Sequence, residues 1–225
     1  MRSLLLATVT ATALAALPAA AAVTVVVDNF NTPQGPVEDL ALGGSPVSSG
    51  MVSYSAGAHT FDREFSVELL AFLDPIQAQA EVTSGVFDIL NGTGEESRVV
   101  LNYTIPASLE AFKNSVLNVN GLAFLFDVLA RDLNPINISA SLNSVSLDPV
   151  IPPLGGPGTY RFNVPLGAID GLLSFTITGD AGFDITLDNL RLFIDGDAPF
   201  GTPAPAMVGL LGLGFAAVGL RRRSR

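Results

Sequence analysis

The amino-acid sequence predicts an all-β fold, a single antiparallel β-sandwich of the jelly-roll type formed by residues 23–197. Apolar and polar residues alternate with a period of two along several stretches, which is typical of strands with one face in the core and one in solvent. Clusters of glycine and proline, such as GGSP and NGTG, break the chain into short pieces. Because helix signals are few and turn signals are frequent, a sandwich with one core is favoured.

Three stretches show the alternation most clearly, namely RVVLNYTI, TYRFNV and LSFTIT. In each of them every second residue is apolar and its neighbours are mostly polar, so each predicts a half-buried strand. The residues predicted to face the core are Val99, Leu101, Tyr103, Ile105, Tyr160, Phe162, Val164, Leu173, Phe175 and Ile177.

Two further stretches change the phase of the alternation midway. The apolar set of NISASLNSVSLD shifts by one position after Asn143-Ser144, and that of DITLDNLRLFID shifts after Asp188-Asn189. Each shift predicts a β-bulge or a strand that leaves one sheet for another. The clearest helix signal, PASLEAFKNSV, predicts one or two turns after Pro106 with Ser108 as the cap.

The N-terminal segment has the order of a secretory signal peptide, predicted over residues 1–22. Arg2 supplies a positive start, an apolar run follows from Ser3 to Leu17, and Pro18 precedes small residues that end at Ala22. The apolar run is about 15 residues long, too short to span a bilayer comfortably. The sequence therefore predicts an exported protein that is cleaved after Ala22.

The C-terminal segment predicts a transmembrane helix and an arginine-rich tail over residues 206–225, after a linker over 198–205. The run from Ala204 to Leu220 carries no charge and is just long enough to cross the hydrocarbon core. The arginines that follow would hold this end on the cytoplasmic side, according to the positive-inside tendency. The precursor is therefore predicted to be anchored in the inner membrane with its domain outside.

The same segment resembles the PEP-CTERM sorting signal of Gram-negative bacteria in three consecutive parts. These parts are the Pro203-Ala204-Pro205 motif, the glycine- and leucine-rich stretch from Met207 to Leu220, and the terminal cluster that contains Arg221, Arg222 and Arg223. The resemblance implies recognition by an exosortase, a membrane protease that removes the tail and passes the protein to the cell surface or the exopolysaccharide matrix.

Two positions depart from the usual form of that signal. Ala204 stands where glutamate is usual between the two prolines, and Thr202 stands where valine usually precedes them. A related variant of the signal has an uncharged residue at the first of these positions, so the departure bears on which protease acts. The alternative is an ordinary single-pass anchor that is never cut, which makes a permanently anchored periplasmic protein.

The charge of the chain is unevenly distributed. The 21 Asp and Glu residues all lie between Asp28 and Asp197, where only six of the 11 Lys and Arg residues lie. Such an acidic surface repels nucleic-acid phosphates and anionic lipids, so neither is predicted as a partner of the domain.

No motif of a catalytic site is present, and a non-enzymatic protein is predicted. The chain has no cysteine, His59 is its sole histidine, and no G-x-S-x-G or H-E-x-x-H motif occurs. Glycoside hydrolysis needs just two carboxylates, for which Glu95-Glu96 or Asp62 with Glu64 are candidates. With 21 acidic residues some such pairs are expected by chance.

A calcium site is predicted at Asp28, Asp188 and Asn189. The first and last strands are neighbours in many sandwiches, which would bring Asp28 close to Asp188, and calcium prefers carboxylate, carbonyl and amide oxygens. The opening VVVDNF and closing DITLDNL stretches also resemble those that flank a structural calcium in carbohydrate-binding jelly rolls. The alternative is that Asp188-Asn189 merely form the bulge.

These observations lead to one main functional hypothesis and two alternatives. The main one is an exported surface or extracellular-matrix protein, sorted by an exosortase-like protease and structural or adhesive within exopolysaccharide. The alternatives are a secreted carbohydrate-active domain, either a calcium-stabilised binding module or a glycosidase, and the permanently anchored protein. Exposed aromatic residues over one sheet, or two facing acids in a cleft, would favour a carbohydrate-active domain. A smooth acidic sandwich would favour the main hypothesis.

Overall fold

The computed structural model describes residues 22–71, 78–131, 134–150 and 157–197. All of them belong to one compact unit, Ala22–Thr202. Residues 1–21 of the predicted signal peptide, the linker at 198–205 and the transmembrane segment at 206–225 lie outside the described residues. Within the described ranges, no helix is long and apolar enough to cross a membrane.

The described residues form fourteen strands and one helix. In chain order these are β1 (Val23–Asp28), β2 (Gln34–Asp39), β3 (Val47–Ser48), β4 (Val52–Ala56), β5 (His59–Ala71), β6 (Ala78–Thr83), β7 (Val86–Leu90), β8 (Glu96–Ile105), α1 (Ala107–Ser115), β9 (Leu117–Arg131), β10 (Ile136–Leu142), β11 (Val145–Val150), β12 (Gly158–Val164), β13 (Gly171–Gly179) and β14 (Ile185–Asp197).

The strands form two packed layers, and all of their pairings are antiparallel, which confirms the predicted all-β sandwich. Layer A has the order β2-β6-β7-β14-β9-β12, with β1 also paired to β14; layer B has the order β10-β13-β8-β5, with β3 and β4 on β5. Strand β11 connects the layers, because Val145–Leu147 pair with β10 and Asp148–Val150 pair with β12. The sandwich is therefore one continuous sheet folded over.

The predicted core faces are confirmed. All ten side chains assigned to the core in the three clearest strand predictions are buried. The two layers contact each other through aromatic rings. The ring centroid of Phe175 on β13 lies 4.7 Å from that of Phe126 on β9 and 5.3 Å from that of Phe162 on β12. Such ring pairs contribute beyond their buried area, so they fix the spacing of the layers.

The two phase changes have different structures. Asn143-Ser144 is a two-residue hairpin turn between β10 and β11, with φ angles of 50° and 67°, so the predicted bulge is wrong there. The alternative prediction, a strand that leaves one sheet for another, is confirmed by β11, which pairs first with β10 and then with β12. Asp188-Asn189 does form a bulge, since the register of β14 against β9 shifts between Asp188 and Arg191 and Asn189 has a φ of 49°. The bulge lets Leu187 and Leu190 both face the core.

The predicted helix is present as α1, and it is longer than predicted. Pro106 is at its N-cap position and no side chain caps the helix, so the prediction that Ser108 is the cap is wrong. The Ser108 hydroxyl instead lies 3.0 Å from Nδ1 of His59. The ring of His59 also contacts Phe61 and Phe112, so this histidine joins β5 to α1.

Candidate functional site

The first and last strands are neighbours, as the calcium prediction requires. Strand β1 pairs with β14, and Asp28 lies opposite Leu190 in that pairing. The Asp28 side chain points into the interior and is 1% exposed. The structure thus places this carboxylate inside the sandwich, at the end of β1.

The carboxylate of Asp28 is bound by donors from three parts of the chain. Its Oδ2 accepts hydrogen bonds from Nη1 of Arg63 at 2.6 Å and from the Tyr103 hydroxyl at 3.0 Å, and its Oδ1 accepts one from the Phe30 amide at 2.7 Å. Arg63 is fully buried as well and also donates to Oε1 of Gln34 at 2.8 Å. This buried ion pair compensates both charges and ties β1 to β5 and β8.

Aromatic rings enclose the same ion pair. The guanidinium of Arg63 lies 5.6 Å from the ring centroid of Phe30 and 5.3 Å from that of Tyr54, within the range of cation–π attraction. Burial raises the pKa of Tyr54 and Tyr103 well above their ordinary value, and the negative charge of Asp28 raises both further. Both phenols therefore stay protonated, and that of Tyr103 donates to Asp28.

The other two residues of the predicted calcium site have partners of their own. Asp188 accepts hydrogen bonds from the amide nitrogen of Asn189 at 2.6 Å and from its Nδ2 at 2.7 Å. Both residues are partly exposed, at the bulge. The described residues contain no group of three or more His, Cys, Asp or Glu side chains arranged to hold a metal ion. Calcium at Asp28, Asp188 and Asn189 stays a prediction.

The two carboxylate pairs that are candidates for glycoside hydrolysis differ in their position. Asp62 and Glu64 lie on the outer face of β5, where Asp62 accepts from Ser53 and Glu64 from Ser48. Glu95 is fully buried, whereas its neighbour Glu96 is exposed. Neither pair lines the cavity beside α1 or the cavity between β9 and β14.

Two shallow cavities are present in the described part of the molecule. The larger, about 290 Å³, lies beside α1 and is lined by residues that include Lys113, Val116 and Leu166. The smaller, about 170 Å³, lies between the end of β9 and the start of β14. Both fall below the usual range for small-molecule sites, roughly 300–1,000 Å³.

Part of the outer face of layer B, over β8, β13 and β10, carries hydroxyl and amide groups beside the exposed Leu172. Asn102, Ser174 and Ser141 follow one another across β8, β13 and β10. Neighbouring outward positions of the same three strands carry Thr104, Thr176, Thr178, Ser139 and Asn137. This face is suited to many weak hydrogen bonds.

The outer face of layer A carries cations. The guanidinium carbon of Arg161 on β12 lies 5.0 Å from the ring centroid of Phe193 on β14. Nη2 of Arg191 donates to both carboxylate oxygens of Asp127 on β9. Phe193 and Phe112 are partly exposed, whereas the other aromatic side chains of the described ranges are buried, apart from the ring of His59. The described surface therefore lacks a cluster of exposed aromatic residues over one sheet.

Four buried charged residues were not predicted from the sequence, namely Asp39, Arg63, Glu95 and Lys113. A signal for Arg63 was present, since it occupies an inward position between Phe61 and Phe65 in an otherwise alternating strand. Glu95 follows the NGTG turn and was grouped with surface acids, and its burial depends on the packing of the loop at 180–184 above it.

Comparisons with known proteins give little further information. No protein-family model matches the chain, and no curated protein matches it. Among solved structures, it is similar to a family 11 carbohydrate-binding module from Clostridium thermocellum in complex with a β-1,3-1,4-mixed-linked tetrasaccharide. The alignment has 14% identity and a TM-score of 0.27, and covers 78% of this chain and 97% of that chain. A likeness of this size carries no conclusion about function.

Proposed function

We propose that this protein is an exported, non-enzymatic surface or extracellular-matrix protein, sorted by an exosortase-like protease, with a structural or adhesive role within exopolysaccharide. The observation that carries the proposal is the distribution of side chains in the sandwich. Almost all aromatic residues of the described ranges are inside, and the large apolar side chains that are exposed, such as Val145 and Leu172, have no aromatic ring. A sandwich surface without a cluster of exposed aromatic residues favours such a role over a carbohydrate-active site.

The first and last residues of the sandwich support its interpretation as the exported domain of the protein. Strand β1 begins at Val23, immediately after the predicted cleavage position, and β14 ends at Asp197, immediately before the predicted linker. Because Val23 pairs with Ile194, the described chain begins and ends on neighbouring strands at the same end of layer A.

The polar face of layer B is the surface that we assign to polysaccharide. Serine, threonine and asparagine side chains can form hydrogen bonds with sugar hydroxyls. Each such hydrogen bond contributes about 0.5–1.5 kcal/mol. Single contacts of this kind are weak, but a long polysaccharide offers many copies of the same group and binds by avidity. The face thus suits adhesion to a polymer better than capture of a short oligosaccharide.

The sorting step is tested by the C-terminus of the mature protein. The full chain is expressed in a Gram-negative host with and without an exosortase, and mass spectrometry identifies the last residue in each cell fraction. We expect a shortened, surface-located chain only with the protease, and loss of processing in a P203A/P205A variant. P199A, a proline change outside the motif, is the matched control. An intact chain ending at Arg225 in the membrane fraction in both hosts would show a permanent anchor.

The adhesive role is tested by co-sedimentation of the full chain with the host's exopolysaccharide. We expect binding that weakens several-fold in an N102A/S141A/S174A variant, which removes a row of polar groups from layer B. T159A, a change on the outer face of layer A, should bind like the unchanged chain. Saturable binding of a defined oligosaccharide would instead indicate a carbohydrate-binding module, and turnover of the polysaccharide would contradict the non-enzymatic role.

A further inference from the structure

Strand β1 leaves one edge of layer A without a partner strand. Among the described strands β1 pairs with β14 alone, and the register of this pairing is regular from Val23 to Val26. Beyond this stretch, the Tyr54 hydroxyl donates to the Val27 carbonyl at 3.1 Å. An open strand edge presents unpaired amide and carbonyl groups, to which a strand of another chain can add.

The side chains of this edge do not protect it from such pairing. Residues 23–26 read VTVV and contain no charge and no proline. Edge strands of natural proteins usually carry charged side chains or proline, which prevent pairing with another chain. Strand β2, the other edge strand of layer A, contains Pro36 and Glu38, and its Asp39 accepts a hydrogen bond from the Leu69 amide of β5. The edge of β1 is therefore suited to a partner strand, whereas that of β2 is not.

The surface beside β1 differs in charge from most of the molecule. With 21 acidic residues, the sandwich repels a second copy over most of its surface. The stretch of β14 that pairs with β1, Leu190–Ile194, contains no acidic residue, and its Arg191 lies opposite Val26. Arg161 lies against Phe193 of the same stretch and belongs to none of the ion pairs found in the described part of the chain. The repulsion is therefore reduced where two copies meet through β1.

The sequence of β1 also complements itself. In an antiparallel pair of β1 strands with Val25 opposite the second copy's Val25, Thr24 lies opposite the second copy's Val26. Thr24 and Val26 are exposed on the outer face, and Val23 and Val25 are partly buried on the inner face, so each face continues from one copy into the other. Valine and threonine favour strands and pair well across them. We propose that two copies of this protein associate through β1 in this antiparallel register, so that layer A becomes one sheet shared by both.

The proposed contact joins identical surfaces around a two-fold axis. It therefore closes after two copies and gives a dimer rather than a filament. The proposal is independent of the sorting and adhesion roles, since neither a protease nor a polysaccharide takes part in the contact.

Sedimentation equilibrium of the full chain in detergent tests the association. We expect a dimer that dissociates on dilution. T24K should weaken it at least about tenfold, because the two added positive charges lie diagonally across the junction. T24V should keep the dimer, and so should V145K, the matched control at an exposed valine of the β10–β11 hairpin. A monomer at all concentrations from micromolar to millimolar, or a dimer that T24K leaves intact, would overturn the proposal.

Cross-linking then locates the contact, because the chain has no cysteine and a single introduced thiol is unique. In the proposed register the two Val26 positions are diagonal neighbours on the outer face, roughly 7–8 Å apart. A short bismaleimide should therefore link V26C chains into covalent dimers, and the T24K change should abolish this product. V145C, an exposed thiol away from β1, should give little product. If V26C is linked no more than V145C, the copies do not meet through β1 and the proposal is wrong.

Discussion

At the scale of single residues, the ion pair between Arg63 and Asp28 determines how β1 is attached to the rest of the sandwich. Both side chains are buried, and each makes further hydrogen bonds to neighbouring strands or to the loop that follows β1. Such a pair is not necessarily more stable than an apolar one, but removal of one partner leaves an uncompensated charge in the core.

We therefore expect R63M to reduce the free energy of unfolding by about 3–5 kcal/mol, because Asp28 then stays buried without a cation. Urea denaturation of the full chain in detergent measures this change. R98M is the matched control, since the Arg98–Glu68 pair is at the surface and its loss should cost about 1 kcal/mol or less. The double variant D28N/R63M should recover part of the loss. Equal effects of R63M and R98M would contradict a specific role of the buried pair.

At the scale of elements, the bulge at Asp188 and Asn189 has two structural effects on β14. It restores the inward direction of the apolar side chains after Leu187, and it lies where β14 exchanges β7 for β1 as a neighbour. Asn189 adopts a left-handed backbone conformation there, which asparagine and glycine tolerate and β-branched residues do not.

We expect N189V to destabilise the sandwich by about 1–2 kcal/mol and N189G to change its stability by less than half of that. Thermal unfolding followed by circular dichroism measures both variants. T176V, which places valine at a regular strand position on β13, controls for the side chain itself and should be nearly neutral. A similar loss for N189G and N189V would assign the effect to the Asn189 amide rather than to its backbone.

Helix α1 is attached to the loop before β13 through Glu110. Burial alone would raise the pKa of this carboxyl, but hydrogen bonds from Lys113, from the amide of Ile169 and from Asn114 outweigh that effect and lower it below 4.5. The bonds formed by the ionised carboxylate therefore stabilise the folded state above about pH 4.5, and this contribution is lost as the pH falls through the lowered pKa.

We expect E110Q to be less stable than the unchanged chain by about 1 kcal/mol at pH 7, with the difference shrinking as the pH falls through the lowered pKa of Glu110. Urea midpoints measured between pH 3 and 8 show this convergence. E38Q, a change at a partly exposed acid on β2, serves as the control and should give a small difference at neutral pH. A constant gap between E110Q and the unchanged chain at all pH values would contradict this account.

The elements also show what could be predicted from the sequence and what could not. The strands with clean alternation, such as β8 and β13, were predicted with their inward faces because the period of two directly reports burial on one side. The bulge predicted at Asn143-Ser144 is a hairpin turn, because a turn and a bulge both shift the phase of the alternation by one position. The alternative prediction there, a strand that leaves one sheet for another, is confirmed by β11. The burial of Glu95 depends on distant packing, which local patterns do not contain.

At the scale of the whole molecule, the dominant feature is the excess of negative charge. The 21 acidic residues between Asp28 and Asp197 face only six cationic ones, and one of those six, Arg63, is inside the core. The acidic surface of the sandwich therefore repels itself, which opposes the compact state.

We expect the melting temperature to rise by a few degrees when NaCl is increased from about 10 mM to 300 mM, because the Debye length falls and the repulsion is screened. Differential scanning calorimetry in a chelating buffer measures the effect of screening apart from that of divalent ions. Choline chloride should act like NaCl. A fall in melting temperature with salt would show that the surface ion pairs outweigh the repulsion.

The antiparallel pairing of β1 with β14 has a mechanical consequence. Val23 lies opposite Ile194, so the two ends of the sandwich, at Val23 and Asp197, are on neighbouring strands. A force applied between these two ends would peel β1 from β14 and break the hydrogen bonds between them one after another, which needs little force. The longer pairing of β14 with β9 would not be loaded until β1 had separated.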